Sequence, residues 1–259
     1  MFPADSSVSI RNKKTMVIIT SLIFRQFPEL IFGLSTKKGD DTTVPFYFNL
    51  SLSVGDNPEN VKKNRQEFYG GLGLAENKVV LQKQTHSDIC TYVDKPGLIG
   101  ESDAMITDIK GLGLGISVAD CTPVFLFDRK NKVIAAIHSG WRGTQKKIVL
   151  KTLRKLKDMY NSAPEDIYAY IGPSINQKNY EVGREVALQF ESEYSVPSGE
   201  KFLLDVRKAN SDMLLNYGIP KKQIQISRLC TYEDDDILHS YRRDGAASGR
   251  HLGIIALKG

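Results

Sequence analysis

The stretch AAIHSGWRGT, residues 135–144, ends an apolar run on a histidine. Gly140, the chain's one tryptophan (Trp141), Arg142 and Gly143 follow at once. His138 offers a ring nitrogen to a metal or a proton, and Arg142 offers a planar, permanently charged fork to phosphate or carboxylate. Two other breaks between apolar runs carry reactive types. SVADCTPVF holds Asp120 and Cys121, and LQKQTHSDI holds Gln84 and His86. His86 and Cys121 stand 35 residues apart, and Cys121 and His138 stand 17 apart. Neither is a zinc-finger spacing, so spacing does not join the three. Taken singly, a histidine or a buried cysteine is as readily structural. Arg142 reads either as part of an anion site or as a surface arginine covering Trp141.

The elements that would position these groups read as mixed α/β. GLGLGISVAD, TPVFLFD and KVIAAIH are short apolar runs with polar breaks, the pattern of buried strands. His138 then falls at a strand end, and Gly140–Gly143 turn into a helix. That helix is predicted over 144–160, where Val149, Leu153, Leu156 and Tyr160 recur at helical spacing. Backbone N–H groups at such a helix start favour anions. A second helix is predicted over 205–217, capped by Asp205 and ended by Gly218 and Pro220. NPENVKKNRQEFYGGLGL reads as a third, closed by glycines. KVVLQKQTHSDICTYV reads as a strand pair, and further strands are expected near 167–171, 222–227 and 252–257. The polar segment STKKGDDTTVPFYFNLSLSVGD reads as a long functional loop. No repeat or low-complexity linker divides the chain, so one domain is expected.

Composition bounds the function classes. The chain has 259 residues, 41% hydrophobic and 25% charged, enough for a large core. Its net charge of +5, from 35 basic and 30 acidic residues, is mild and dispersed. It describes a solvated surface and suits a small anionic substrate; it does not make a nucleic-acid patch. Three cysteines, Cys90, Cys121 and Cys230, argue against a disulfide framework and for a reducing, cytoplasmic setting. RNKKTMVIITSLIF imitates a signal peptide, but its apolar run is too short to span a membrane and Arg25 interrupts it. It reads as a strand from Met16 onward. Residues 1–15, polar and patternless, are expected as a disordered extension, with Met16 a candidate start.

Across most of its length the chain resembles the YfiH-like family, also called laccase-domain or multicopper polyphenol oxidase proteins. The motifs carrying the resemblance are FGLSTKKGD, FNLSLSVGDNPENVKKNR, QTHSD, SDAMITDIKGLGLGISVADCTPVFLFD and AAIHSGWRGT. YIGPSINQKNYEVG, CTYEDD, SYRRDG and SGR follow them. The resemblance implies a single-domain α/β fold, with mixed β-sheets and flanking helices in a layered sandwich. It also implies a metal site of His86, Cys121 and His138. Imidazole and thiolate suit zinc, and three ligands leave a fourth position open, the pattern of a catalytic site. The activity it implies is phosphorolysis of purine nucleosides (adenosine, inosine, guanosine, methylthioadenosine), with adenosine deamination associated.

On that reading Arg142 holds phosphate, and Gln84 and Asn49 hold ribose or base. Asp120 orients a ligand, carries a proton, or merely caps its turn. Lys37 stands where the family usually has arginine, so it attracts phosphate without a bidentate fork. SYRRDG offers Arg242 and Arg243, and of these Arg243 is the further candidate for the cleft. Ser87 and Ser139 replace residues that are smaller in the family. Copper is weighed against zinc because of the family's older name. The four histidines, His86, His138, His239 and His251, leave too few for a multicopper cluster once two are used. Two rival readings remain. Cys121 and His138 could form a thiolate–imidazole hydrolase acting on peptidoglycan precursors. Or Cys230 or His251 could close a structural zinc site in a non-enzymatic module.

Overall fold

The computed structural model describes residues 9–13 and 16–259. Among these, strands form three sheets. The seven-stranded sheet runs, in spatial order, β1 (Ser9–Lys13), β2 (Met16–Thr20), β3 (Leu30–Ser35), β16 (His251–Leu257), β8 (Gly113–Val118), β4 (Val79–Lys83) and β6 (Gly97–Glu101). Its strands are antiparallel except β4, which lies parallel to β8 and β6. The six-stranded sheet runs β15 (Ile224–Ile226), β11 (Ile167–Ile171), β9 (Thr122–Asp128), β10 (Val133–Ser139), β7 (Ala104–Thr107) and β5 (Cys90–Tyr92). A small sheet of β12 (Glu181–Val182), β14 (Lys201–Leu204) and β13 (Ser195–Ser198) stands beside them. The helices are α1 (Leu22–Arg25), α2 (Pro58–Leu72), α3 (Trp141–Gln145), α4 (Ile148–Tyr160), α5 (Arg184–Ala187), α6 (Val206–Asn216) and α7 (Tyr241–Asp244).

The two large sheets pack face to face. Leu114, Ile116 and Ile255 of one meet Phe125, Phe127, Ile134 and Tyr170 of the other. Phe32 sits edge-on to Phe125 and Tyr170, with centroids 4.9 and 5.2 Å away, an arrangement aromatic quadrupoles favour. Helix α2 covers the outer face of the first sheet, placing Phe68 with Ile18 and Ile254. Helices α4 and α6 cover the second, placing Val149, Leu153, Leu156 and Leu214 against Ala135 and Ile137. The expected layered sandwich of mixed sheets and flanking helices is therefore what forms.

The glycine end of α2 and the Asp205 cap read from the sequence hold: Gly73 ends α2 in the left-handed region, and the Asp205 side chain accepts from the Lys208 N–H at the start of α6. Asn57, not singled out in the sequence, caps α2 by accepting from the Glu59 N–H. Four expectations change. The helix predicted over 144–160 is two helices, α3 and α4, broken where Lys147 adopts φ 61°. The apolar run from Met16 is a strand only to Thr20, because Ser21 then caps a helical turn by accepting from the Phe24 N–H. Strands β4 and β5 do not pair with each other; they belong to different sheets. Residues 9–13, expected within a disordered extension, pair antiparallel with β2, while residues 1–8 and 14–15 lie outside the described residues.

Candidate metal centre and cleft

Three chain segments reach one end of the sandwich. His86 follows β4 of the seven-stranded sheet. Asp120 and Cys121 lie where the chain leaves β8 of that sheet for β9 of the other. His138 is near the end of β10. Their ligating atoms all lie within 4.8 Å of one another, and Cys121 Sγ is 3.7 Å from His86 Nε2. The backbone is strained to bring them there: His86 and Asp120 take φ of 58° and 88°, a region non-glycine residues rarely occupy. Gly140 is required by the same crowding. A Cβ at that position would sit 2.8 Å from His86 Cδ2 and 3.0 Å from Cys121 Sγ.

Asp103, fully buried, organises the cluster. Its carboxylate accepts from the backbone N–H groups of Thr85, His86 and Ser87 at 3.2, 3.1 and 2.6 Å, and from the Ser87 hydroxyl at 2.7 Å. Its Oδ1 also lies 2.8 Å from His138 Nδ1, which leaves Nε2 as the nitrogen available to a ligand. Burial would raise the Asp103 carboxyl, but His138 and Ser87 bring it down to about 2. Burial would likewise raise the Cys121 thiol, yet the two imidazoles, His138 foremost, hold it at about 6. Burial opposes charge on His138, and Cys121 and Asp103 outweigh it, raising the ring to about 9. In the metal-free protein this is a thiolate beside an imidazolium. A thiolate with two correctly turned imidazoles is also what a metal ion requires, so the residues present fit one.

The cluster opens on a cleft of about 1260 Å³. Arg142, Arg242 and Arg250 line it near the ligands. Each lies over an aromatic ring: Arg142 on Trp141 at 4.4 Å, Arg242 on Tyr180 at 5.1 Å and Arg250 on Tyr241 at 5.2 Å. Stacking fixes a guanidinium plane while leaving its remaining N–H groups for an anion, although Arg242 already gives Nη1 to the Glu181 carbonyl and Arg250 gives Nη1 to the Ser248 and Gly249 carbonyls. Trp141 itself packs against the cluster around the small sheet, so it anchors the turn that carries Arg142.

The candidates from sequence fare differently. Gln84 lines the cleft, but its amide is spent: Nε2 donates to the Ser117 carbonyl at 2.8 Å and Oε1 accepts from the Ser117 N–H at 2.7 Å. It bridges β4 to β8 where their backbone ladder has ended. Asp120 lines the cleft with its oxygens on the Thr231 hydroxyl and the Arg242 N–H, both at 2.6 Å, so it holds the turn bearing Arg242. Asn49, Lys37 and Arg243 are not among the lining residues. Asn49 is fully buried; it donates to the Ser51 carbonyl and Asp56, and accepts from the Ser51 and Arg250 N–H groups. Lys37 lies over the Tyr47 ring, 5.0 Å away, and its pKa is lowered by burial and by Arg243. Arg243 spends its fork on the Thr231, Tyr232 and Leu238 carbonyls and on Asp244.

Cys230 and His251 do not close the metal site. Cys230 Sγ accepts from the Asn176 N–H and Asn179 elsewhere, and His251 pairs with His239. Sequence reasoning missed Asp103 and Arg250, and of the two arginines in SYRRDG it chose Arg243 where Arg242 is the one that lines the cleft. Arg242 and Arg250 stand in SYRRDG and SGR, where nothing distinguishes a cleft arginine from a surface one. Asp103 follows a serine at a strand start and reads as an ordinary cap.

Comparison with known proteins agrees with this architecture. The family model for multi-copper polyphenol oxidoreductase laccase matches residues 31–258. A Bacteroides thetaiotaomicron protein named purine nucleoside phosphorylase is 33% identical, over 96% of this chain and 99% of its own. Escherichia coli purine nucleoside phosphorylase YfiH is 30% identical, over 92% of this chain and 100% of its own. Crystal structures of YlmD from Geobacillus stearothermophilus and YfiH from Bacillus licheniformis superpose with TM-scores of 0.90 and 0.89. They are 26% and 28% identical; the first alignment covers 98% of this chain and 100% of that one, the second 96% and 99%. With the His86–Cys121–His138 cluster in a shared fold and a match running almost to its last residue, the chain belongs to the multi-copper polyphenol oxidoreductase laccase family, the YfiH-like proteins.

Proposed function

We propose that the protein phosphorolyses purine nucleosides, taking adenosine, inosine, guanosine or methylthioadenosine with inorganic phosphate, and also deaminates adenosine. The observation that carries this reading is the three-ligand cluster opening on a cleft ringed by stacked arginines. The names of its relatives support the same reaction. His86, Cys121 and His138 would hold one zinc ion, which when bound supplies a Lewis acid that polarises an oxygen. Two imidazoles and a thiolate suit zinc and are also the ligands of a blue-copper centre, and it is the want of further histidines at the cluster that argues against multicopper oxidation. The two remaining histidines, His239 and His251, are buried against each other with ring centroids 4.9 Å apart, and among the described residues neither joins the cluster.

The chain's own groups supply the rest. Arg142 offers its edge N–H groups to phosphate, and its stack on Trp141 keeps that fork from wandering. Asp120, through the Arg242 N–H, holds the turn that brings a second cation to the same end. Tyr180 lines the cleft, and burial together with the nearby Cys121 charge raises its phenol, so it stays protonated and donates a hydrogen bond. A donor of that kind suits a leaving base that gains negative charge as the glycosidic bond breaks.

The thiolate character of Cys121 favours a second reading, hydrolysis with Cys121 as nucleophile and His138 as base. One experiment separates the two: metal content of the purified protein, with base release from inosine and adenosine plus phosphate, before and after chelation and beside Cys121→Ala. The expected result is about one zinc per chain and phosphate-dependent base release lost under both treatments. Zinc without nucleoside turnover would move the assignment to precursor hydrolysis. Activity surviving complete metal removal would end the zinc mechanism.

A further inference from the structure

Gln82 is the unexplained residue of the cleft wall. It is 8% exposed, lies on β4 four residues before His86, and lines the cleft. Among the described residues neither Nε2 nor Oε1 has a hydrogen-bond partner. Its neighbour Gln84 has both amide atoms satisfied by Ser117, so the deficit belongs to this position and not to the strand end as a whole. A buried amide without partners costs free energy, and such a group inside a pocket marks a place where a ligand supplies the missing bonds. Ile99, its partner across the β4–β6 pair and on the same face of the sheet, lines the cleft beside it. An apolar side chain beside one unsatisfied amide is a lining that suits the edge of a flat heteroaromatic ring.

We propose that this wall holds the purine base and that the Gln82 carboxamide reads the edge of its six-membered ring, making Gln82 a specificity-determining residue. The inference rests on the purine nucleoside reading above. It also orients the substrate: the base lies on the β4–β6 wall and the sugar points to the ligand cluster, where Arg142 meets phosphate. At about 3.3 Å per strand residue, Gln82 lies within about 13 Å of His86 along the chain.

The chemistry accounts for breadth as well as recognition. A carboxamide presents one acceptor and one donor side by side. Adenine offers an amino donor beside the N1 acceptor; hypoxanthine offers a carbonyl acceptor beside an N1–H donor. One orientation of the amide pairs with the first edge, and the amide turned over pairs with the second. A single glutamine therefore serves both 6-amino and 6-oxo purines, while a base bearing only hydrogen at C6 leaves half of it unpaired.

The test compares wild-type zinc-loaded protein with Gln82→Met and Gln82→Leu, assaying adenosine, inosine and purine riboside with phosphate. In the wild type, kcat/KM favours the two 6-substituted nucleosides over purine riboside. In both variants that preference shrinks by about tenfold or more. The KM for phosphate stays unchanged, and Tm does not fall, because an amide without partners has been replaced by an apolar side chain. An unchanged preference, or a Tm lowered by several degrees, would overturn the assignment. A wild type that releases no base from any nucleoside would remove the phosphorylase reading and this proposal together, an outcome distinct from active variants that fail to lose discrimination.

Discussion

Asp103 and His138 are tied twice. The His138 backbone N–H donates to the Asp103 carbonyl at 2.7 Å, and His138 Nδ1 lies 2.8 Å from Asp103 Oδ1. The same carboxylate gathers the N–H groups around His86, so one side chain sets two of the three ligands.

Asp103→Asn keeps the shape but turns one acceptor oxygen into a donor, which faces either the His138 ring or the N–H groups of residues 85–87. Zinc affinity should fall by about 10- to 100-fold, read by competition with a chromogenic chelator. An affinity equal to wild type would mean that Asp103 does not orient the ligands.

Arg142→Ala removes a charged fork from the end of the cleft proposed to hold phosphate and leaves the ligand cluster untouched. The KM for phosphate should rise by about tenfold or more, with Arg142→Lys restoring part of the loss and zinc content unchanged. If phosphate KM and kcat both stay at wild-type values, the anion is held elsewhere, with Arg242 and Arg250 the next to substitute.

Acid should weaken the fold through a pair far from this chemistry. Burial, with Lys37 and Arg250 adding their charge, pushes His239 down to about 3; burial and the neighbouring His239 push His251 well below its ordinary value. Both rings stay neutral in the folded protein, while in the unfolded chain they take up protons below about 6.5. The unfolded state therefore binds more protons, and stability falls as pH drops. At pH 5 the loss from His239 is about 2 kcal/mol, and His251 adds to it in the same direction. In metal-stripped protein His138, raised to about 9 by the fold, opposes this trend above about 6.5, where only the folded ring is protonated, and adds little well below that pH, where both states carry the proton. Urea melts between pH 6.5 and 5 would show the slope; a flat profile there would mean that these rings are hydrated.

Much of the local structure was legible because its causes are local. Asp205 caps its helix with its own side chain, Gly73 ends another, and the apolar runs of β8, β9 and β10 can only be buried. The pairing of strands was not, since β4 and β5 carry no mark of the sheet each joins. Site residues divided the same way. The ligand trio came from motifs shared with a family, not from spacing. Asn49, Lys37 and Arg243 have the right chemical types for a nucleoside site, but side-chain type does not reveal direction. Asn49 turns inward to fix Ser51 and Arg250, and Arg243 turns to the carbonyls of its own loop. Asp103 was invisible for the opposite reason: its importance lies in four donors that only the folded chain assembles.

The passage from β8 to β9 at Asp120–Cys121 takes the chain from one sheet to the other, so the three ligands come from both layers of the sandwich. A nascent chain with only one layer built has no binding site to offer. Ion capture is then a late event, following the docking of the layers, and an ion in place becomes a rivet across their open end. Refolding rates should be the same with and without zinc, while the loaded protein comes apart more slowly, a contrast that stopped-flow mixing would show. The cell's zinc supply would thus govern how long each molecule lasts, not how quickly it is made.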